Sequence, residues 1–436
     1  MKKYSCYNRI FYAGENIILY NCASDGTIIL LPEIEELLQS CEEKPEELAN
    51  LHNELYQSML DKRMIVDTDV NECEQVIEEW KKEDSDNKSF KITINPTMDC
   101  NLRCWYCYEK HMKGTKMTLR LVEAVKELIR KKTENPELEE LHLDFFGGEP
   151  LLGFEESVLP LLEYSKKQCK ECNVELSVSF TTNGVLLTNN VIEQLREYSS
   201  KQNPLFLQIT LDGGEKMHNL TRKTEKGETT YSTIVSNIKG ALSSEFRINL
   251  RLNYTNRTAA SFVDIIKDFS SITPEQKSLL SIDFKKVWQD AESDETERVI
   301  DETRSWMEKE KLNISHASDF GKTRCYADKE NDIVINYNGD LYKCTARNFT
   351  SSGREGILNE YGELVWNEKY KRRMEIKYGG EVCRQCDIFP VCHGGCSQDK
   401  LEINAENGCI RGYDDEKKEA ILAGRMKYLL KSFTQQ

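Results

Sequence analysis

Cys100-Asn101-Leu102-Arg103-Cys104-Trp105-Tyr106-Cys107 sets three thiols in a row, with three and then two residues between them. Three cysteines hold three corners of a 4Fe–4S cluster, which closes on four ligands, commonly all Cys. A site with three protein ligands leaves one metal position open to another molecule, as catalytic metal sites do. Zinc is the rival reading. Structural zinc sites take four ligands, usually as two pairs, and this asymmetric spacing has no close fourth Cys. His111 would be the fourth ligand on that reading, and a solvated loop residue otherwise.

The stretch follows an apolar run, residues 90–95, that ends at Pro96 and reads as a strand. From there strand and helix patterns alternate. Strands are expected over 141–146, 174–181, 205–211, 247–253 and 282–288. Helices are expected over 119–131, 155–166, 190–197, 230–242 and 261–269. Six strands interleaved with helices imply an α/β fold with a parallel sheet and right-handed crossovers. Ligands of such folds gather at the carboxyl ends of the strands.

Several short motifs sit at those ends. Gly147-Gly148-Glu149-Pro150 follows the second strand, Thr181-Thr182-Asn183-Gly184 the third, and Thr210-Leu211-Asp212-Gly213 the fourth, with His218 and Arg222 beyond it. Paired glycines allow close backbone approach, and a carboxylate can pair with an ammonium. With the three-Cys stretch, these motifs resemble the radical SAM superfamily. The resemblance implies a partial (β/α)6 TIM-like barrel whose Cys100, Cys104 and Cys107 bind a 4Fe–4S cluster, with S-adenosylmethionine (SAM) on the open iron. It further implies that Tyr106 packs near the adenine and that Gly148 and Glu149 hold the amino group of SAM. Asn183, Thr210 and Arg222 would make further contacts, the guanidinium meeting the SAM carboxylate. The family's chemistry is reductive cleavage of SAM to a 5′-deoxyadenosyl radical that abstracts hydrogen from substrate.

Sixteen cysteines occur in all, and ten fall into two groups. In a large chain without a secretory signal, clustered Cys read as metal ligands rather than disulfides. The second group is Cys325, Cys344, Cys383, Cys386, Cys392, Cys396 and Cys409. Its spacing resembles the SPASM domain of radical SAM enzymes throughout. That resemblance implies two auxiliary 4Fe–4S clusters, one on Cys325, Cys344 and Cys396, the other on Cys383, Cys386, Cys392 and Cys409. Two closed clusters take eight ligands and seven Cys are present, so one iron is open or finds a ligand elsewhere. Some sulfatase-maturing relatives carry an eighth Cys six residues before the first; here that position is Asp319.

Ahead of the barrel, residues 1–88 read as a separate module. Strands are expected near 9–12, 17–20, 27–31 and 63–66, and helices over 33–38, 48–60 and 71–80. Charged residues 81–88 read as a linker. The pattern fits a winged-helix-like unit. It resembles the peptide-recognition element of radical SAM peptide maturases, which implies leader-peptide binding by β-strand addition. Domains of 1–88, 89–312 and 313–436 follow, the last being the SPASM domain with a C-terminal helix.

A net charge of −15, from 59 basic and 74 acidic residues, argues against nucleic-acid partners and anionic membranes. No run reaches transmembrane length and no signal peptide is evident, so a cytoplasmic enzyme is expected. The expected function is a radical SAM/SPASM peptide maturase, an oxidoreductase forming a thioether or carbon–carbon crosslink in a ribosomally made precursor. Expected partners are that peptide and an electron donor such as flavodoxin or ferredoxin. The alternative is an anaerobic sulfatase-maturing (formylglycine-generating) enzyme. Those relatives place an Asp base directly after the second SPASM Cys, where this chain has Thr345.

Overall fold

The computed structural model describes residues 1–315, 324–403 and 408–434. Asp319 lies outside the described residues. The N-terminal run forms β1 (Lys2–Tyr4), β2 (Asn8–Ala13), β3 (Asn16–Asn21), β4 (Gly26–Leu30) and β5 (Ile65–Asp67). β2, β3 and β4 make an antiparallel meander, while β1 pairs with β5. A two-residue turn, Gly14-Glu15, joins β2 to β3, with Gly14 at φ +62°, a conformation glycine adopts without steric cost.

Two expectations for this region are revised. The helix expected over 48–60 is cut at His52, whose extended backbone ends one short helix. Its Nδ1 accepts from the Leu55 N–H at 3.2 Å and so caps the next helix, Asn53–Asp61. The linker expected over 81–88 is helical in its first half, because the helix Glu72–Asp84 continues through it. Asp84 is buried and ion-paired with Arg324 (2.8 Å) and Lys377 (3.0 Å), which gives the charged end of that helix a place in the interior.

The main sheet runs β6 (Ser89–Ile94), β7 (Glu140–Phe145), β8 (Glu175–Thr182), β9 (Phe206–Leu211), β10 (Arg247–Tyr254) and β11 (Leu280–Lys286). These are parallel neighbours in chain order, joined by helices as the alternation requires. β12 (Asn313–Ile314) extends the β11 edge. At the other edge β13 (Asp332–Ile335) lies parallel to β6, followed antiparallel by β14 (Asp340–Tyr342), β15 (Gly356–Leu358) and β16 (Leu364–Trp366). These last four strands are of three or four residues each, too short to show a period.

One face of the sheet is apolar. Ile248, Leu250 and Leu252 of β10 are fully buried in the core with Leu207, Ile209, Leu141 and Leu143. Each such side chain contributes roughly 1.5–3 kcal/mol. Helices 119–133, 159–172 and 231–243 cover this face, contributing Val125, Leu161 and Ile238 to the same core. The alternate positions carry Asn249, Arg251 and Asn253 on β10, Gln208 and Thr210 on β9, and Asp144 on β7. A polar inner face suits a space that takes in a polar ligand rather than a packed interior.

The chain divides into two compact units: Met1–Ser85 with Ala317–Lys329 and Lys371–Gln436, and Asp86–His316 with Glu330–Tyr370. The Cys-rich segment therefore does not stay together. Its strands β13–β16 belong to the barrel sheet, and its later part belongs with the N-terminal residues. No described helix is long and apolar enough to cross a membrane.

Candidate functional site

All motif-bearing loops leave the main sheet at its carboxyl end. Cys100, Cys104 and Cys107, on the loop after β6, border one cavity of about 200 Å³. Gly147, Gly148, Asn183, Thr210 and Arg222 line the same cavity, as do Tyr106 and Asn253. Among the described residues, no group of three or more His, Cys, Asp or Glu side chains already stands at metal-ligating geometry. The fit of a cluster rests on the donor set, three thiols at one cavity. Burial pushes free Cys100 up to about 12 and Cys107 up to about 11. Bound metal would take those protons outright. His111 Nε2 lies 3.4 Å from Cys107 Sγ, so the zinc rival's fourth ligand is close to one thiol of the three.

The two glycines have a packing reason that their sequence does not announce. A Cβ on Gly148 would stand 2.2 Å from the Asp99 carbonyl oxygen, and one on Gly147 2.6 Å from that of Thr97. Both glycines thus let the loop carrying Cys100 close on the end of β7. Gly148 and Glu149 N–H groups donate to the Thr97 and Asp99 carbonyls at 3.1 and 2.9 Å.

Glu149 is placed differently from its expected role as an ammonium partner. Its carboxylate is fully buried and accepts from the Thr182 hydroxyl (2.7 Å), the Asn183 N–H (2.8 Å) and the Leu151 N–H (3.1 Å). It does not border the cavity. It ties the end of β8 to the Gly147-Gly148 turn, while the glycine backbone faces the cavity. Asn183 in turn donates to Asn101 Oδ1 at 2.7 Å and approaches Cys100 Sγ at 3.8 Å.

Tyr106 anchors the other wall. Its hydroxyl donates to Asp212 (2.7 Å) and accepts from Arg222 Nη1 (2.8 Å) and Asn253 Nδ2 (3.2 Å). Burial pushes Asp212 up to about 6 even with Arg222 nearby. Arg222 is 8% exposed, and its Nε has no hydrogen-bond partner. An unsatisfied buried donor of a cation, at a cavity wall, fits a carboxylate-bearing ligand such as SAM.

Arg222 is held from behind by residues the sequence reading left unassigned. Thr230 Oγ1 donates to the Arg222 carbonyl at 2.6 Å and stands 3.2 Å from His218 Nε2. His218 Nδ1 accepts from the Asp212 N–H at 3.4 Å, so the ring is neutral with its proton on Nε2. Asp212 was legible as part of the Thr210–Gly213 motif but without a role of its own, and Asn253 only as a polar residue at a strand end. Glu109, also at the cavity, is 8% exposed with Oε1 unpartnered.

A second cavity, of about 310 Å³, is bordered by Cys383, Cys386, Cys392 and Cys409, the four residues grouped by the SPASM spacing. Gly394 and Gly395, at φ +72° and +82°, line it. A Cβ on Gly395 would meet Ile410 at 2.3 Å. Four thiols in a cradle that only glycine can close fit a second metal group. Of the other three SPASM cysteines, Cys325 and Cys396 belong to the unit of the N-terminal residues and Cys344 to the barrel unit. The remaining six cysteines border neither cavity.

Residues 94–269 match the family model of the radical SAM superfamily. The chain is 23% identical over 385 residues to the radical SAM cyclopropyl synthase TigE of Paramaledivibacter caminithermalis, covering 79% of this chain and 76% of TigE. It is 22% identical to the cysteine-type anaerobic sulfatase-maturating enzyme of Clostridium novyi, over 74% of this chain and 91% of that enzyme. Among solved structures, the fold resembles native anSMEcpe with bound AdoMet and Cp18Cys peptide (TM-score 0.58, 18% identity), with 79% of this chain and 99% of that one covered. It also resembles Streptococcus suis SuiB bound to precursor peptide SuiA (TM-score 0.51, 14% identity), with 95% of this chain and all of that one covered.

Proposed function

We propose that this chain, whose residues 94–269 form a radical SAM domain, is an oxidoreductase that modifies a ribosomally made precursor peptide by thioether or carbon–carbon crosslinking. The observation that carries the reading is the pair of thiol cavities, three Cys beside an orphaned arginine nitrogen and four Cys in a glycine cradle. The first suits a cluster with an open iron, the second a closed cluster that takes up electrons from the reaction.

Cys100, Cys104 and Cys107 would hold the SAM-binding 4Fe–4S cluster. Arg222 would take the SAM carboxylate, Tyr106 would wall the adenine, and Gly148, Asn183 and Thr210 would complete the pocket. Glu149 would act through the loops it ties together. When bound, cluster and SAM supply a 5′-deoxyadenosyl radical that abstracts hydrogen from the peptide. Cys383, Cys386, Cys392 and Cys409 would hold one auxiliary cluster. Cys325, Cys344 and Cys396 would hold the other, with one iron open for a substrate thiolate. An external one-electron carrier such as flavodoxin or ferredoxin would reduce the first cluster.

The N-terminal residues would bind the leader of the precursor along an edge of the β2–β3–β4 sheet. Likeness of fold to SuiB over 95% of the chain takes in most of this module, whereas that to anSMEcpe stops at 79%. Formylglycine generation is the second reading, favoured by the match over 91% of the Clostridium novyi enzyme. Thr345 after Cys344 speaks against it, since threonine is a poor base.

Anaerobic reconstitution tests the reading. Three clusters give near twelve irons per chain, and incubation with SAM, reductant and the precursor peptide gives a crosslinked peptide, a loss of about 2 Da by mass spectrometry. Zinc in place of iron, or a Cys100→Ala variant that still cleaves SAM, would sink it.

A further inference from the structure

The N-terminal module and the later cysteines share one interior. Tyr7, Phe11, Tyr20, Ile77 and Trp80 pack in a single buried cluster with Ile388, Phe389 and Leu422, and Cys383, Cys386 and Cys392 pack against it. Ile388 and Phe389 lie in the turn between Cys386 and Cys392, where the Cys392 N–H donates to the Ile388 carbonyl at 2.7 Å. Trp80 packs against that turn, its ring centroid 4.8 Å from that of Phe389 in a tilted pair and 5.2 Å, edge-on, from that of His393, the residue after Cys392.

Polar contacts repeat the pattern. Arg9 pairs with Asp387 at 2.5 Å, and Cys22 Sγ lies 3.3 Å from the Asp387 carbonyl oxygen. Glu74, on the same helix as Trp80, pairs with Arg384, which sits between Cys383 and Cys386. At the end of that helix Asp84 holds Arg324 through two bonds of 2.8 and 3.2 Å. The Arg324 guanidinium lies over Trp80, 4.7 Å from its centroid, and precedes Cys325 in the chain.

We propose that the helix Glu72–Asp84 is a positioning element for the four-cysteine site. Trp80 and Glu74 hold the Cys383–Cys392 turn in the shape that binds metal, so the N-terminal module is part of the auxiliary cluster's housing as well as a candidate peptide-binding surface. The inference rests on the reading of Cys383, Cys386, Cys392 and Cys409 as cluster ligands. Apolar contact over several side chains fixes the turn, and removing one large aromatic from such a core leaves a cavity that the neighbours fill only in part. Loss of the turn would spread the thiols and open the cluster to solvent.

The test uses the full-length, anaerobically reconstituted protein and follows iron, labile sulfide, the electron paramagnetic resonance of the reduced clusters, and reductive SAM cleavage without peptide. Trp80→Ala is expected to lose about four irons per chain and the auxiliary signal, with SAM cleavage retained. Trp80→Phe is expected to restore both. Should Trp80→Ala fail to fold, Glu74→Lys serves, because Glu74 is a surface residue. It is expected to speed chelator-driven loss of auxiliary iron several-fold, leaving the SAM-binding cluster's rate unchanged, and Glu74→Lys with Arg384→Glu is expected to reverse the effect. Full auxiliary iron and an unaltered signal in Trp80→Ala, or an unaltered chelation rate in Glu74→Lys, would overturn the proposal. A wild-type protein with only about four irons would instead overturn the auxiliary-cluster reading on which it stands.

Discussion

Arg222 Nη1 is engaged by Tyr106, while Nε is buried without a partner. A lysine here would keep the charge and lose the forked geometry suited to a carboxylate. Arg222→Lys is therefore expected to weaken SAM binding at least about tenfold, roughly 1.4 kcal/mol, by equilibrium dialysis. His218 governs a pH limit. Burial, with the Arg222 charge beside it, holds its imidazole well below the usual range. Such a group adds stability above its unfolded value, near 6.5, and that stability is lost as pH falls toward the folded value. Protonated Nδ1 would set its N–H against the Asp212 N–H donor and add a second positive charge beside buried Arg222. The melting temperature is expected to fall steeply below about pH 6.5 in the wild type, with a flatter acid limb in His218→Gln. Equal slopes would contradict this assignment.

At the scale of elements, the loop after β6 and the turn after β7 form one object. Gly148→Ala drives a methyl into the Asp99 backbone, which no side-chain rotation can relieve. The variant is expected to lose the SAM-binding cluster and all SAM cleavage while keeping the auxiliary iron, by spectroscopy on reconstituted protein. All six parallel strands were legible because apolar buried positions recur along them, alternating with polar ones in β7 and β10. The strands β13–β16 were not, being too short to carry a period and lying in a segment whose cysteines dominate its reading. Glu149 shows the limit for sites. Its Leu151 N–H contact is local, but the other two partners of the carboxylate, Thr182 and Asn183, come from the end of β8, contacts that spacing does not encode.

Across the whole molecule, the cysteines that border the first cavity belong to one unit and those that border the second to the other. Cys383→Ala is expected to lower iron by about four per chain, with uncoupled SAM cleavage intact and peptide product abolished. Loss of SAM cleavage in that variant would mean that the two sites are not separable. The three-Cys group read from its spacing borders one cavity, and four of the seven cysteines grouped by resemblance border another. Residues 1–88 read as a detachable module because a core shared between distant segments leaves no local pattern. Trp80 and Phe389 each look like ordinary apolar positions of their own helices.

Asp25 and Arg425 form a two-pronged ion pair, at 2.6 and 2.9 Å, across 400 residues of chain. At ribosomal rates of about 5–20 residues per second, their meeting is delayed by roughly 20–80 seconds after Asp25 is made. Through that interval Tyr7, Phe11 and Trp80 have no Phe389 or Leu422 to cover them. The nascent N-terminal segment thus keeps apolar side chains uncovered until synthesis is nearly finished. On the proposed function, metal loading of Cys383, Cys386, Cys392 and Cys409 would be a late step in biogenesis, after Cys100, Cys104 and Cys107 have long been available.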